Sequence, residues 1–219
     1  MGAILIRLAI LIALVAGLAL AVSNADRADS SAQVWVADGK VAALLQKPSP
    51  FDVYDIRLPL GFTQSQDDAP YQDARRTEWV GPIRPDTSQP SMSVWVAQLT
   101  PDQAAGDPIA LGSKLLEDSG RTGSTDYVRT KSEVGMVNGN WVTRFYDTCE
   151  VQTPNAKIRL RAANYIWIDR GRLVMATAYD AINYIKETMP ILEASIFSIV
   201  PSEDAEAQSM GGDIPVGGP

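Results

Sequence analysis

The sequence predicts an α+β domain: a mostly antiparallel sheet covered by helices. Three observations lead there. Between Tyr127 and Tyr179, apolar and β-branched runs are separated by short turn signals, the pattern of consecutive hairpins. A stretch with a capping residue and a first-turn proline precedes that meander, and one with apolar residues at helical spacing follows it. Hydrophobic residues make up 46% of the 219-residue chain, enough for one packed core.

The first 25 residues, MGAILIRLAILIALVAGLALAVSNA, carry one charge at Arg7 and then an unbroken apolar run from Leu8 to Val22. Small residues at Ala21, Ser23 and Ala25 follow, in the order of a secretory signal peptide. The run is about 15 residues against the ~20 of a spanning helix, so cleavage after Ser23 or Ala25 is the favoured reading. An uncleaved N-terminal anchor is the alternative. Either way the domain is expected outside the cytoplasm: periplasmic, extracellular, or anchored and facing outward. No cysteine lies near the cleavage region, which argues against a lipoprotein.

Residues 26–50 read as a linker. Within them, Asp38-Gly39 marks either a tight hairpin or the start of a short helix at VAALLQK, and Pro48 and Pro50 close the segment. The domain proper is expected over 51–201. Its first strand is Tyr54–Leu58, stopped by Pro59 and Gly61. RTEWVG and Met92–Leu99 are the next strands, the second rich in β-branched and aromatic residues. Asp107 and Pro108 then cap and open a helix to about Ser119, with Ile109, Leu111, Leu115 and Leu116 as its apolar stripe.

The meander follows. Asn138-Gly139-Asn140, Thr153–Ala156 and Asp169-Arg170-Gly171 are its turns. The segment from Asp180 to Ile199 reads as a closing helix capped by Asp180, with Pro190 implying a kink or two short helices. Residues 202–219 are polar and rich in glycine and proline, the composition of a disordered tail.

Three phrases resemble the PsbP-like superfamily of PsbP, Ran-binding Mog and DcrB-type proteins. They are YDIRLPLGF at the first strand, VNGNWVTRFYDT at the hairpin and PILEASIFSIV at the closing helix. The resemblance spans roughly Tyr54 to Val200. It implies an α/β/α sandwich used as a binding or assembly module. It carries over no site residue, because these are packing phrases.

Composition narrows the chemistry. The chain has no histidine and one cysteine, Cys149, so Ser-His-Asp and Cys-His arrangements and an internal disulfide are excluded. A net charge of −7, from 26 acidic and 19 basic residues, argues against nucleic acid and against a grip on anionic lipid. Membrane contact is expected only through the N-terminal segment, if uncleaved. No glycine-rich run follows a strand and opens a helix, so no nucleotide fingerprint is present. The acidic stretch Gln66-Asp67-Asp68 with Asp73 lacks calcium-loop spacing. Asp55, Asp147 and Glu150 have no separation fixed by sequence. No catalytic residue, metal or cofactor is expected.

One surface candidate remains. Lys157, Arg159 and Arg161 alternate, which puts three cations on one strand face, and a simple hairpin register sets Glu150 opposite Arg159. The ordinary reading is a solvated face with cross-strand ion pairs worth about 0.2–1 kcal/mol each. The functional reading is a contact patch for an acidic partner. Tyr165 and Trp167 continue the same face, with Trp141 close by hairpin spacing. Aromatics beside arginines suit an interface, but a helix over that half of the sheet buries them equally well. The expected function is therefore an exported, non-enzymatic module that contacts another protein. The alternative is a small-ligand or lipid carrier with a pocket between sheet and helices.

Overall fold

The computed structural model describes residues 33–65, 74–122, 124–130, 132–153 and 156–202. The N-terminal apolar run, the acidic 66–73 stretch, Pro154-Asn155 and residues 203–219 lie outside these. The chain divides into two units, residues 1–33 and 34–219, and the fold is that of the second.

After β1 (Gln33–Val34), the Asp38-Gly39 pair opens a helix: Asp38 Oδ1 accepts the Lys40 N–H at 2.7 Å and caps α1 (Gly39–Ala42). Pro48 and Pro50 do not close the segment but lie in a strand, β2 (Leu45–Phe51), paired with β3 (Tyr54–Pro59). β2 is an edge strand of a small three-stranded sheet with β3 at its centre, where a missing N–H is tolerated. β4 (Thr63–Gln64), β5 (Ala74–Val80) and β6 (Ser91–Gln98) follow. Next is α2 (Pro101–Ala105), opened by a capping box between Thr100 and Gln103. α3 (Pro108–Arg121) is capped as expected, with Asp107 Oδ1 accepting the Ala110 N–H at 3.0 Å.

β7 (Thr125–Arg129) and β8 (Glu133–Val137) lie end to end along one edge of β9 (Asn140–Gln152). β10 (Lys157–Asp169) and β11 (Arg172–Ala181) complete the meander. Asn138 and Gly139 at φ +49° and +81°, and Arg170 and Gly171 at +49° and +74°, form the two-residue turns that match strand twist. β11 then pairs with β6, joining the meander to the earlier hairpin in the order β8-β9-β10-β11-β6-β5-β4.

The closing helix, α4 (Ile185–Phe197), starts five residues later than the sequence suggests. Asp180 is not its cap; it is the penultimate residue of β11, where Arg84 holds it buried. Pro190 sits on the solvent side of one continuous helix, where the carbonyl it leaves unpaired can meet water. β12 (Val200–Pro201) returns to β3.

Strand alternation divides the large sheet into two cores. On one face Val142, Tyr165, Val174, Ala176 and Met92 pack against Tyr54 and Ile56 of β3 and Leu192 and Ile196 of α4. On the other, Phe145, Ile166, Leu173, Met175 and Trp95 pack against Leu116 of α3. Helices thus pack on both faces of a largely antiparallel sheet, the α+β arrangement predicted, with the small sheet beside α4 on one of them.

Candidate partner-binding surface

The cationic stripe forms where alternation places it. β10 pairs with β9 so that Arg159 faces Glu150 and Arg161 faces Thr148, while Arg161 faces Asp180 on β11. Lys157 and Arg159 are exposed and Arg161 is half-buried. Lys157 Nζ lies 3.8 Å from Glu150 Oε2, and the Arg161 guanidinium sits 4.8 Å over the Tyr146 ring. Neither Arg159 nor Arg161 has a carboxylate within ion-pair distance among the described residues. Arg172 and Arg57, the latter bound to the Gln46 and Ala42 carbonyls, share that state, whereas Arg75, Arg76, Arg84, Arg121, Arg129 and Arg144 each meet a carboxylate. Apolar side chains flank the stripe. Val128, paired with Thr148, and Ile182, whose N–H donates to the Arg159 carbonyl, are both exposed.

The aromatic continuation of the patch is not at the surface. Tyr165 is 0% and Trp167 6% exposed, both under α4. The Tyr165 hydroxyl donates to Glu193 Oε1 at 2.5 Å, and its ring meets Phe197 edge-on at 5.6 Å. Burial, followed by the Glu193 charge, holds that phenol far above its ordinary range. A partner on the stripe therefore meets Lys157, Arg159 and Arg161 without these two rings. Trp141, expected beside them, projects from the opposite face, 54% exposed, because Val142 is the residue paired with Trp167.

The carboxylates do not converge. Asp147 and Glu150, odd and even on β9, point to opposite faces, and Asp55 lies in the small sheet. Asp147 is a structural hub. It accepts Arg129 Nε at 2.9 Å and Asn164 Nδ2 at 2.9 Å, and Arg129 Nη1 reaches the Ser113 carbonyl at 3.0 Å, tying β7 and α3 to the sheet. Burial pushes the Cys149 thiol up, away from a reactive thiolate. Among the described residues no group of three His, Cys, Asp or Glu is placed to hold a metal.

One concavity escaped the sequence reading. A groove of about 260 Å³ opens between α4, α1 and two turns, β3–β4 and β5–β6, lined by Leu44, Leu60, Phe62, Pro82, Ile191 and Leu192. Arg84 and Thr188 are its polar edge. The Arg84 Nη groups donate to both Asp180 oxygens and the Thr188 hydroxyl donates to Oδ2 at 2.5 Å, so the cation is already neutralised. The only sequence trace of this groove is the spacing of Pro59, Pro82 and Pro90 around apolar residues, which does not show that the turns meet. The carrier alternative calls for a pocket between sheet and helices; on the α4 side, the void beside Tyr165 and Trp167 is about 10 Å³, room for one water at most.

No family model matches the chain, and no curated protein matches it in sequence. Its fold resembles that of cyanobacterial PsbP (CyanoP) from Synechocystis. The TM-score is 0.50 over 76% of this chain and 90% of that one, at 13% identity. The Ran-binding protein Mog1p of Saccharomyces cerevisiae superposes at 0.46 over 68% and 90%, at 10% identity. LpqN of Mycobacterium tuberculosis, involved in cell envelope biogenesis, superposes at 0.37 over 77% and 99%, at 12% identity. The first bears out the PsbP-like resemblance, for the fold alone; the two weaker superpositions carry no further weight.

Proposed function

We propose that this PsbP-like domain is a non-enzymatic binding module that holds an acidic segment of another protein on Lys157, Arg159 and Arg161. One observation carries the reading: in a chain of net charge −7, Arg159 and Arg161 are left without a carboxylate partner among the described residues. Exposed Val128 and Ile182 beside them supply apolar contact at the rim. The chain has no histidine, and among the described residues Asp55, Asp147 and Glu150 do not converge, which favours binding over catalysis.

The apolar run before Ala25 supports an exported, envelope-facing location. Among the described residues, no helix is long and apolar enough to cross a membrane. N-terminal sequencing of the protein recovered from its native envelope tests that location, and a mature chain that still begins at Met1 and sits in the cytosol refutes it.

The test of binding is capture of tagged protein after cross-linking in the native envelope, with wild type beside the Arg159→Glu/Arg161→Glu variant. Loss of a reproducible partner by roughly tenfold, with the melting temperature unchanged, supports the stripe. Equal capture by the variant sinks it.

A further inference from the structure

We infer that the recognised segment of the partner is two-part, with acidic residues on the stripe and a neighbouring apolar stretch in the groove beside α4. The inference rests on the stripe reading and adds the chemistry of what lies next to it.

Stripe and groove flank one residue. Arg161 on β10 faces Asp180 on β11, and the buried Asp180 carboxylate accepts from Arg84 and Thr188, both of which line the groove. The turn from Ile182 to Tyr184 lies between the two. Its Ile182 N–H is bound to the Arg159 carbonyl on the stripe side, and its Tyr184 ring lies 4.1 Å under Arg84 on the groove side. Exposed apolar residues stand on both sides of it: Ile182 at 39% on the stripe side, and Leu44 at 43% and Leu60 at 62% in the groove lining.

Charge sorts the two halves of the occupant. Asp180 already neutralises Arg84, so the groove offers no free counter-charge, and a carboxylate entering it would lose hydration without compensation. An apolar group entering it gains the burial of Leu60, Phe62 and Ile191. The acids must therefore stay on the stripe, where Arg159 and Arg161 are available. Size points to side chains: the groove holds about 260 Å³, below the roughly 300–1,000 Å³ usual for small-molecule pockets. Three prolines, Pro59, Pro82 and Pro90, fix its walls, so little ordering is lost on binding. An extended segment is favoured over a bilayer, since it meets only stripe and groove, whereas an anionic membrane surface faces a chain of net charge −7.

Fluorescence anisotropy on the full chain tests this with two labelled peptides, four glutamates followed by four leucines and four glutamates followed by four serines. The leucine peptide should bind at least tenfold tighter than the serine peptide. Leu60→Asp, at an exposed rim position, should erase that difference and leave serine-peptide binding unchanged; Leu44→Asp is a second rim variant should the first lower the melting temperature. Arg159→Glu/Arg161→Glu should weaken both peptides. Equal affinity for the two peptides, or indifference to both rim variants, overturns the groove assignment while the stripe stands. Unchanged binding by the charge-reversed variant, or no binding of either peptide, overturns both. Rim-dependent binding of phosphatidylglycerol vesicles, with no leucine preference among peptides, would make the occupant a lipid and overturn the partner assignment.

Discussion

Asp180, with none of its side chain exposed, is gripped by both Nη groups of Arg84, at 2.5 and 2.7 Å, across 96 positions of sequence. The pair fixes the β5–β6 loop to the end of β11, and Thr188 adds the first turn of α4 to the same carboxylate. Removing one partner of a buried pair strands the other charge. Arg84→Met should therefore destabilise the domain by about 3–5 kcal/mol in urea denaturation. The double variant Arg84→Met/Asp180→Asn should recover a large part of that loss, because no buried charge remains. Additive losses in the double variant would mean that the two residues act independently.

Alkaline pH should unfold the domain more readily than its composition suggests. Burial, then the charge of Glu193, pushes the Tyr146 phenol up to about 12, and burial raises Tyr54, Tyr127, Tyr165 and Tyr179 as well. The unfolded chain releases these protons near pH 10 while the folded one keeps them. A raised folded value means that the unfolded state binds fewer protons, so the contribution is intact below about pH 10 and is lost as pH rises through about 12. Urea midpoints measured from pH 8 to 12 should fall steeply above 10, and Tyr146→Phe should flatten the slope. A flat profile for wild type contradicts this.

Much of the fold is written in local signals. Asn138-Gly139 and Arg170-Gly171 demand positive φ, Asp107-Pro108 can hardly do other than open a helix, and alternation in β10 sorts Lys157, Arg159 and Arg161 onto one face. What depends on long-range contact is not legible. Pro48 and Pro50 read as breakers because nothing local says that β2 is an edge strand. Asp180 reads as a cap because its partner, Arg84, is far away in sequence. Alternation also says that Tyr165 and Trp167 share the stripe's face, but not that α4 covers only that end of it. The groove is the extreme case, assembled from turns and helices that no sequence window contains together.

The return of the chain to the small sheet should be worth a measurable amount. Val200 and Pro201 pair with Asp55 and Tyr54, and the Ser202 N–H donates to the Val53 carbonyl at 3.0 Å. A chain ending at Ile199 should melt a few degrees below one ending at Ser202, since it loses these bonds and exposes the edge of β3, a cost of about 1–2 kcal/mol. Equal melting temperatures would mean that β12 adds nothing to the sheet's stability.

Gly81 offers the sharpest packing test, because it lies where two turns of the groove wall touch. A Cβ there would stand 2.6 Å from Phe62 Cε2 and 2.7 Å from Pro90 Cγ, and the Gly81 N–H already binds the Pro90 carbonyl at 2.9 Å. Phe62 is 8% exposed and Pro90 is a rigid ring, so neither can swing away without moving its turn. Gly81→Ala should cost about 1–3 kcal/mol through overpacking, a fall of roughly 3–10 °C in melting temperature. It should also weaken the leucine-bearing peptide, since Phe62 lines the groove. Gly39→Ala is the control: nothing lies within 4 Å of its Cβ, and it sits in the first turn of α1. That change should leave the melting temperature level or raise it slightly, because alanine loses less backbone freedom in a helix. If both glycines tolerate alanine equally, the β3–β4 and β5–β6 turns are not in close contact, and the groove has no fixed wall.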